Sequence, residues 1–200
     1  MKSINDQLNL NNKKVLLRLD LNVPLKKGVI KDETRINKIL PILNFLINKN
    51  AKIIIISHVG RPNGKIDPEL SLKPICENLE KKIKHKIYLL TEDIREIKDK
   101  NLFKNLKENI LILENIRFYS EEENNDLNFA KHLGSFADIY VNDAFSCSHR
   151  AHASVANITK FLPSYAGLQM NSEVKALKKV TKDIEKPITC IIGGSKISTK

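Results

Sequence analysis

The sequence contains no tryptophan, and aromatic residues make up only 6% of its 200 residues. A core built from this chain must therefore consist mainly of isoleucine, leucine and valine, and at 42% hydrophobic residues it can be sizeable. No apolar run is long enough to cross a membrane, and the first residues lack the apolar segment of a secretory signal peptide. The length suits one full domain, or one domain with the beginning of another.

Cysteines are few: Cys76, Cys147 and Cys190 stand apart from one another, without a CxxC pair. An odd, unpatterned set of cysteines favours reduced thiols, and it therefore predicts a cytoplasmic location. Cys147 lies near His149 and His152, but this spacing is too loose for zinc, which needs three or four ligands. The sequence therefore predicts no metal site among these residues.

Basic residues exceed acidic ones, with 34 lysines and arginines against 23 aspartates and glutamates, for a net charge of +11. Many of the lysines stand in polar stretches, where they are typical of a solvated surface. A basic protein suggests nucleic acid as a partner. The chain, however, has no Cys/His finger, no arginine-rich run and no regular alternation of aromatic and basic residues in its loops. Neither nucleic acid nor a membrane is therefore expected as a partner.

Short apolar runs alternate with helical patterns along the chain. The apolar runs predict β-strands over residues 14–19, 52–57, 86–90, 109–113, 137–141 and 188–192. Helices are predicted over residues 33–48, 72–82, 93–107, 125–136, 154–161 and 172–185, of which 93–107 is weakly patterned. Pro41 counts against the first helix. Strands separated by helices form parallel βαβ units, so the predicted fold class is α/β, a Rossmann-like parallel sheet with flanking helices.

A domain boundary is predicted between residues 162 and 186, where Pro163 ends one helix, a polar helix follows and Pro187 opens a new strand. The division is a first domain over 1–170, a connecting helix and hinge over 171–186, and the start of a second α/β domain over 187–200. That second domain begins with a strand and Gly193-Gly194, and we expect it to be incomplete within this chain.

Four of the predicted strands run into loops that carry arginine or histidine. These residues are Arg35, His58, Arg61, Arg117, His149, Arg150 and His152. Ligands of a parallel α/β sheet bind beyond the carboxyl ends of the strands, so these loops are expected to meet at one rim. Guanidinium groups together with imidazoles suit a small molecule rich in phosphate or carboxylate.

Other residues have an ordinary structural explanation beside the functional one. Asp20 and Asn22 follow the first strand, where they suit a turn as readily as they suit a ligand hydroxyl and neighbouring guanidinium groups. The string GGSKISTK carries Lys196 and Lys200, which suit phosphate oxygens at a helix N-terminus or a plain strand-to-helix turn. It is not a Walker A loop, because Ser195 stands where that motif needs glycine.

Taken together, six strings resemble the phosphoglycerate kinase family, in its order and at its spacing. They are RLDLNVP, SHVGRPNG, LENIRFY, VNDAFSCSHRAHAS, LPSYAGLQMNSEV and GGSKISTK. The resemblance covers the whole chain. It implies two α/β domains joined by a helix and a hinge, a basic patch for 3-phosphoglycerate or 1,3-bisphosphoglycerate in the first domain, and Mg-ADP or Mg-ATP on the second.

The resemblance also implies the role of each matched residue. The residues that bind the acid would be Asp20, Asn22, Arg35, His58, Arg61, Arg117 and Arg150. Arg35 and Lys196 would stabilise the phosphoryl group in flight, and Lys200 would contact nucleotide phosphate. The implied reaction is direct in-line transfer in a cytoplasmic, glycolytic and monomeric enzyme, with magnesium held by the nucleotide and the second domain.

Two departures from the family pattern matter. The loop reads DAFSCSHR where the family often has DAFGTAHR, so Ser146 replaces a glycine and Cys147 adds a thiol. The family's acidic nucleotide contacts and its C-terminal segment have no counterpart here. We therefore expect the chain to be the N-terminal half of the enzyme, with negligible turnover alone and some exposed apolar surface. The alternative is a non-catalytic anion-binding module that remains from a truncated gene.

Overall fold

A computed structural model describes residues 2–7, 9–184, 186, 187, 189 and 191 of the chain. Its eight strands are β1 (Lys14–Arg18), β2 (Leu25–Lys26), β3 (Val29–Ile30), β4 (Lys52–Ile56), β5 (Tyr88–Leu90), β6 (Ile110–Leu113), β7 (Ile139–Asn142) and β8 (Ser164–Ala166). Six of them form one parallel sheet in the spatial order β5-β6-β4-β1-β7-β8. Strands β2 and β3 form a separate antiparallel hairpin.

The central strands are apolar throughout because both faces of the sheet are covered. Successive side chains of a strand point to opposite faces. Thus Val15 and Leu17 of β1 join one buried cluster, whereas Leu16 between them joins the other. The isoleucines of β4 divide in the same way between the two clusters.

Helices cover the two faces. The helices are α1 (Thr34–Asn48), α2 (Lys73–Ile83), α3 (Ser120–Glu123), α4 (Leu127–Gly134) and α5 (Leu168–Thr181). Helices α1 and α2 bury their apolar sides against one face of the sheet, and α4 packs against the other. Helix α1 also contacts α2 and α5. It runs unbroken through Pro41, and the side chain of Asp32 accepts a hydrogen bond from the amide of Thr34 at its start.

The predicted parallel α/β fold is confirmed. The first five predicted strands are all present, and their ends differ by at most one residue except at residues 86 and 87, which precede β5, and residues 137 and 138, which precede β7. The hairpin and β8 are not among the predicted strands. Strand β8 has only three residues, and it is defined by its pairing with β7 rather than by an apolar pattern.

Three predicted helices are wrong in extent. Residues 93–107 form only a 3-10 turn, Ile94–Glu96, because the side chains of Asp93 and Asp99 accept hydrogen bonds from amides two residues ahead and so favour turns. Residues 154–161 likewise contain only the 3-10 helix Asn157–Lys160. Helix α5 begins four residues earlier than predicted and ends at Thr181.

The predicted strand 188–192 falls on a stretch of which only residues 189 and 191 are described, and Gly193-Gly194 lies outside the described residues. The domain boundary therefore stays a prediction. Within the described ranges, no helix combines the length and the apolar character needed to cross a membrane.

Candidate functional site

A cavity of about 230 Å³ opens beyond the carboxyl ends of the four central strands. Its lining comes from the loops after β1, β4, β6 and β7 and from the first turn of α1. The lining residues are Asn22, Arg35, His58, Gly60, Arg61, Arg117, Ser146, Cys147 and Arg150. Six of the seven binding residues predicted from the sequence therefore lie around one cavity. The seventh, Asp20, is hydrogen-bonded to two of the lining side chains.

Arg18, at the end of β1, is the residue of this region that sequence reasoning misses. Its guanidinium group is fully buried behind the cavity. Nη1 donates to the carbonyl oxygens of Leu19 and Ile56, at 3.1 and 3.3 Å, and Nη2 lies 3.0 Å from Nδ1 of His58. A signal was available, because an arginine within the apolar run VLLRL must be buried with the strand and needs partners there.

The contact with Arg18 fixes the chemistry of His58. A guanidinium group only donates hydrogen bonds, so Nδ1 of His58 is the acceptor and the neutral ring carries its hydrogen on Nε2. Burial lowers the pKa of His58 to about 2, and the charges of Arg18 and Arg117 act in the same direction. His58 therefore offers a neutral donor, rather than a cation, to a ligand in the cavity.

His58→Gln is expected to reduce the loss of stability on acidification by about 1.4 kcal/mol per pH unit between about pH 6 and pH 4. The pKa of His58 in the folded state lies below its ordinary value of 6.5, so unfolding takes up a proton below that pH and becomes easier. Asp143 acts in the opposite direction because burial raises its pKa to about 6, but it is common to both proteins and cancels in their difference. Urea unfolding of both proteins across this pH range measures the slopes, and equal slopes would contradict a neutral, buried His58.

Asp20 and Arg35 form an ion pair at the mouth of the cavity. Nη1 of Arg35 lies 2.6 Å from Oδ1 and 2.7 Å from Oδ2 of Asp20. Oδ2 also accepts from the hydroxyl of Ser146 at 2.6 Å, and Oδ1 from the amide of Asn22 at 3.3 Å. The Arg35 side chain is 44% exposed, so its charge faces the open side of the cavity.

Arg117 forms the floor of the cavity and is almost completely buried. It lies in the 3-10 turn Ile116–Phe118 after β6, and its Nη1 donates to the carbonyl of Gly60 at 3.0 Å. Its Nε lies 3.4 Å from a carboxylate oxygen of Glu123. Burial lowers the pKa of Arg117, whereas Glu123 opposes this shift. The protein thus holds a desolvated cation that an anionic ligand would stabilise.

Arg61 and Arg150 complete the lining from the exposed side. Neither guanidinium group is within ion-pair distance of a carboxylate in the part of the chain that the structure describes. Together with Arg35 and Arg117, they place four guanidinium groups around one small cavity. Such a set favours an oxyanion carrying more than one negative charge.

The neighbouring histidines lie outside the lining. His149 is exposed, whereas His152 is buried with its Nδ1 3.7 Å from a carboxylate oxygen of Glu122. Burial lowers the pKa of His152, and the charge of Glu122 opposes this shift. Among the described residues no group of three or more histidine, cysteine or acidic side chains is placed to hold a metal ion. Lys196 and Lys200 lie outside the described residues, so their roles stay predictions.

The fold and the cavity define a parallel α/β protein with an arginine-lined cavity whose charge suits a small, multiply charged anion. The family model described as phosphoglycerate kinase matches residues 5–200. The chain therefore belongs to the phosphoglycerate kinase family.

Individual relatives agree with this assignment. The phosphoglycerate kinase of Wolbachia pipientis wMel is 52% identical over 195 residues, which cover 98% of this chain and 49% of that protein. That of Dictyoglomus turgidum is 46% identical over 192 residues, covering 96% and 48%. The solved phosphoglycerate kinase of Coxiella burnetii has a TM-score of 0.86 at 37% identity, covering 98% of this chain and 49% of its own. The chain thus spans about half the length of these relatives.

Proposed function

We propose that this chain forms the phosphoglycerate-binding part of a phosphoglycerate kinase. The complete enzyme would transfer a phosphoryl group reversibly between 1,3-bisphosphoglycerate and ADP, giving 3-phosphoglycerate and ATP. The observation that carries the proposal is the cavity with its four guanidinium groups, in a chain of this family.

The charges around the cavity match those of 3-phosphoglycerate. This molecule has a phosphate at one end and a carboxylate at the other, and both are acceptors that arginine binds through paired N–H groups. Arg61, Arg117 and Arg150 would supply these contacts, while His58 and Asn22 would add neutral donors. Asn22 suits this role because its Oδ1 already accepts from the amide of Gly60 at 2.9 Å, which leaves its amino group to face a ligand.

Arg35 would neutralise the phosphoryl group as it moves. Its exposed position at the mouth makes it accessible to a second substrate arriving from outside the cavity. In-line transfer through a loosely bonded, highly charged transition state needs fixed cations more than it needs a covalent intermediate. Arginine provides such cations because it stays protonated at any physiological pH.

The nucleotide and its magnesium would bind elsewhere in the complete enzyme. Asp20 is the carboxylate that reaches the mouth of this cavity, and it is engaged by Arg35, so the lining suits oxyanions rather than a divalent cation. Magnesium bound to the nucleotide would neutralise phosphate charge. Lys196 and Lys200 are the residues of this chain that we propose as contacts of the phosphoryl group and the nucleotide. We accordingly expect no measurable phosphoryl transfer by the isolated chain.

Amide NMR of the labelled chain tests the proposal by locating the ligand. Titration with 3-phosphoglycerate is expected to shift the amide resonances of Asn22, Gly60, Arg61 and the Ser146–Arg150 loop until the site is saturated. Titration with Mg-ATP is expected to give no saturable shift of these resonances. Inorganic sulfate serves as the control for plain anion binding. Shifts of the same size with sulfate would favour the non-catalytic anion-binding module, and shifts scattered over the lysine-rich surface would contradict the proposed site.

A further inference from the structure

The side chains that line the cavity offer many free hydrogen-bond donors and few free acceptors. Its arginines are donors only. The acceptor atoms nearby are occupied: Nδ1 of His58 by Arg18, Oδ1 of Asn22 by the amide of Gly60, and the carbonyl of Gly60 by Arg117. This arrangement suits phosphate and carboxylate oxygens. A ligand hydroxyl, which must also donate, finds its strongest acceptor at the carboxylate of Asp20.

The carboxylate of Asp20 is itself saturated. Two carboxylate oxygens offer about four acceptor positions. Arg35 contacts both oxygens, the amide of Asn22 takes a further position on Oδ1, and the hydroxyl of Ser146 takes one on Oδ2. A ligand hydroxyl can therefore reach Asp20 well only by displacing one of these donors.

Ser146 is the donor that a ligand hydroxyl can displace from Asp20 most easily. Its side chain is exposed and neutral, and its other polar contact is Sγ of Cys147 at 3.6 Å. Arg35 is charged, and the amide of Asn22 belongs to the turn that follows β1. The Ser146 hydroxyl thus occupies the position on Oδ2 of Asp20 that a ligand hydroxyl can take at the lowest cost.

We propose that the hydroxyl of Ser146 acts as a placeholder on Asp20 for the hydroxyl of the bound glycerate, and that it determines how strongly the cavity selects a hydroxylated ligand. This proposal rests on the proposed function. In the empty cavity Ser146 keeps the carboxylate hydrogen-bonded, and binding exchanges a Ser146–Asp20 bond for a ligand–Asp20 bond. The exchange reduces the net gain from the ligand hydroxyl, because one hydrogen bond is broken when the other forms.

The test compares two ligands on matched variants by isothermal titration calorimetry of the full chain. The ligands are 3-phosphoglycerate and 3-phosphonooxypropanoate, which lacks only the hydroxyl group. We compare the dissociation constant of the deoxy compound, divided by that of 3-phosphoglycerate. Ser146→Ala is expected to raise this ratio about five-fold, because 3-phosphoglycerate binds more tightly and the affinity for the deoxy compound is unchanged. Ser146→Thr, which keeps a hydroxyl, is expected to retain the ratio of the unmodified chain.

Ser148→Ala is the control for the loop. The Ser148 hydroxyl donates to the carbonyl of Ala144 and makes no hydrogen bond to Asp20, so this change alters the loop without freeing an acceptor position on Asp20. An unchanged ratio in Ser146→Ala, or an equal loss of affinity for both ligands, would contradict the proposed role of Ser146. Failure of the unmodified chain to bind 3-phosphoglycerate would instead overturn the proposed function, and the placeholder with it.

Discussion

Gly167→Ala is expected to destabilise the protein by about 3 kcal/mol and to lower its melting temperature by about 9 °C. Gly167 stands between β8 and α5, and a Cβ atom added there would overlap Cγ and Oδ1 of Asp143. The backbone itself does not require glycine, since its φ of −75° is open to any residue. The expected loss of stability is therefore caused entirely by the steric clash with Asp143.

Asp143 cannot move aside without a further loss. Its side chain is buried after β7, and its Oδ1 accepts from the amide of Met170 at 2.9 Å in the first turn of α5. An alanine at 167 would push this carboxylate away from the helix, or push the helix away from the sheet. Both movements break the contact that fixes the start of α5.

Gly28→Ala is the matched control for this prediction. Gly28 has a left-handed φ of +71°, but no atom lies within 4 Å of an added Cβ. Only backbone strain is introduced, and we expect a loss of about 1 kcal/mol. Thermal unfolding followed by circular dichroism measures both variants. Equal losses would contradict the claim that Asp143 and Gly167 are packed in contact.

Arg117→Met is expected to weaken the binding of 3-phosphoglycerate about 100-fold and to leave the melting temperature of the ligand-free protein unchanged or higher. The two effects separate because the Arg117 charge is buried without full compensation, as the burial-lowered pKa indicates. Methionine of similar size removes that unfavourable charge. The carbonyl of Gly60 and the carboxylate of Glu123, which lose their partner, are both partly exposed and can bind water.

Arg61→Met is the control, since its exposed guanidinium group is already solvated and should contribute only about five-fold to affinity. Calorimetric titration and thermal melting of both variants measure the two quantities. A melting temperature of Arg117→Met lowered as far as that of Gly167→Ala would mean that Arg117 is needed for folding. Equal effects of the two arginines on binding would contradict the placement of Arg117 at the floor of the cavity.

The sheet could be predicted from the sequence because its central strands are buried on both faces and read as unbroken apolar runs. The first and last residues of the helices are harder to predict, because some are determined by contacts with residues distant in the sequence. Helix α5 starts at Leu168 with Asp143 accepting from Met170, a contact across 27 residues that no local pattern contains. Residues 93–107 mislead for the opposite reason. Their weak helical pattern is overridden by local hydrogen bonds that the side chains of Asp93 and Asp99 accept from nearby backbone amides.

The lining of the cavity could also be predicted, because strand ends of a parallel sheet meet at one edge. The contacts that tune the site could not. The bond between Ser146 and Asp20 joins residues 126 positions apart, and it depends on the course of the loop after β7. The bond between Arg18 and His58 depends on the parallel pairing of β1 with β4, which brings the two strand ends side by side.

Thermal melting of the chain with 3-phosphoglycerate, against sulfate at matched ionic strength, tests the central claim most directly. At a hundredfold excess over the dissociation constant, a ligand that binds only the folded state stabilises it by about 2.7 kcal/mol, or about 8 °C for a chain of this size. We predict this rise for 3-phosphoglycerate, a smaller one for sulfate, and the loss of most of the rise with 3-phosphoglycerate in Arg117→Met, which binds it about 100-fold more weakly. An equal rise with sulfate, or no rise with either, would contradict a formed phosphoglycerate site in this chain.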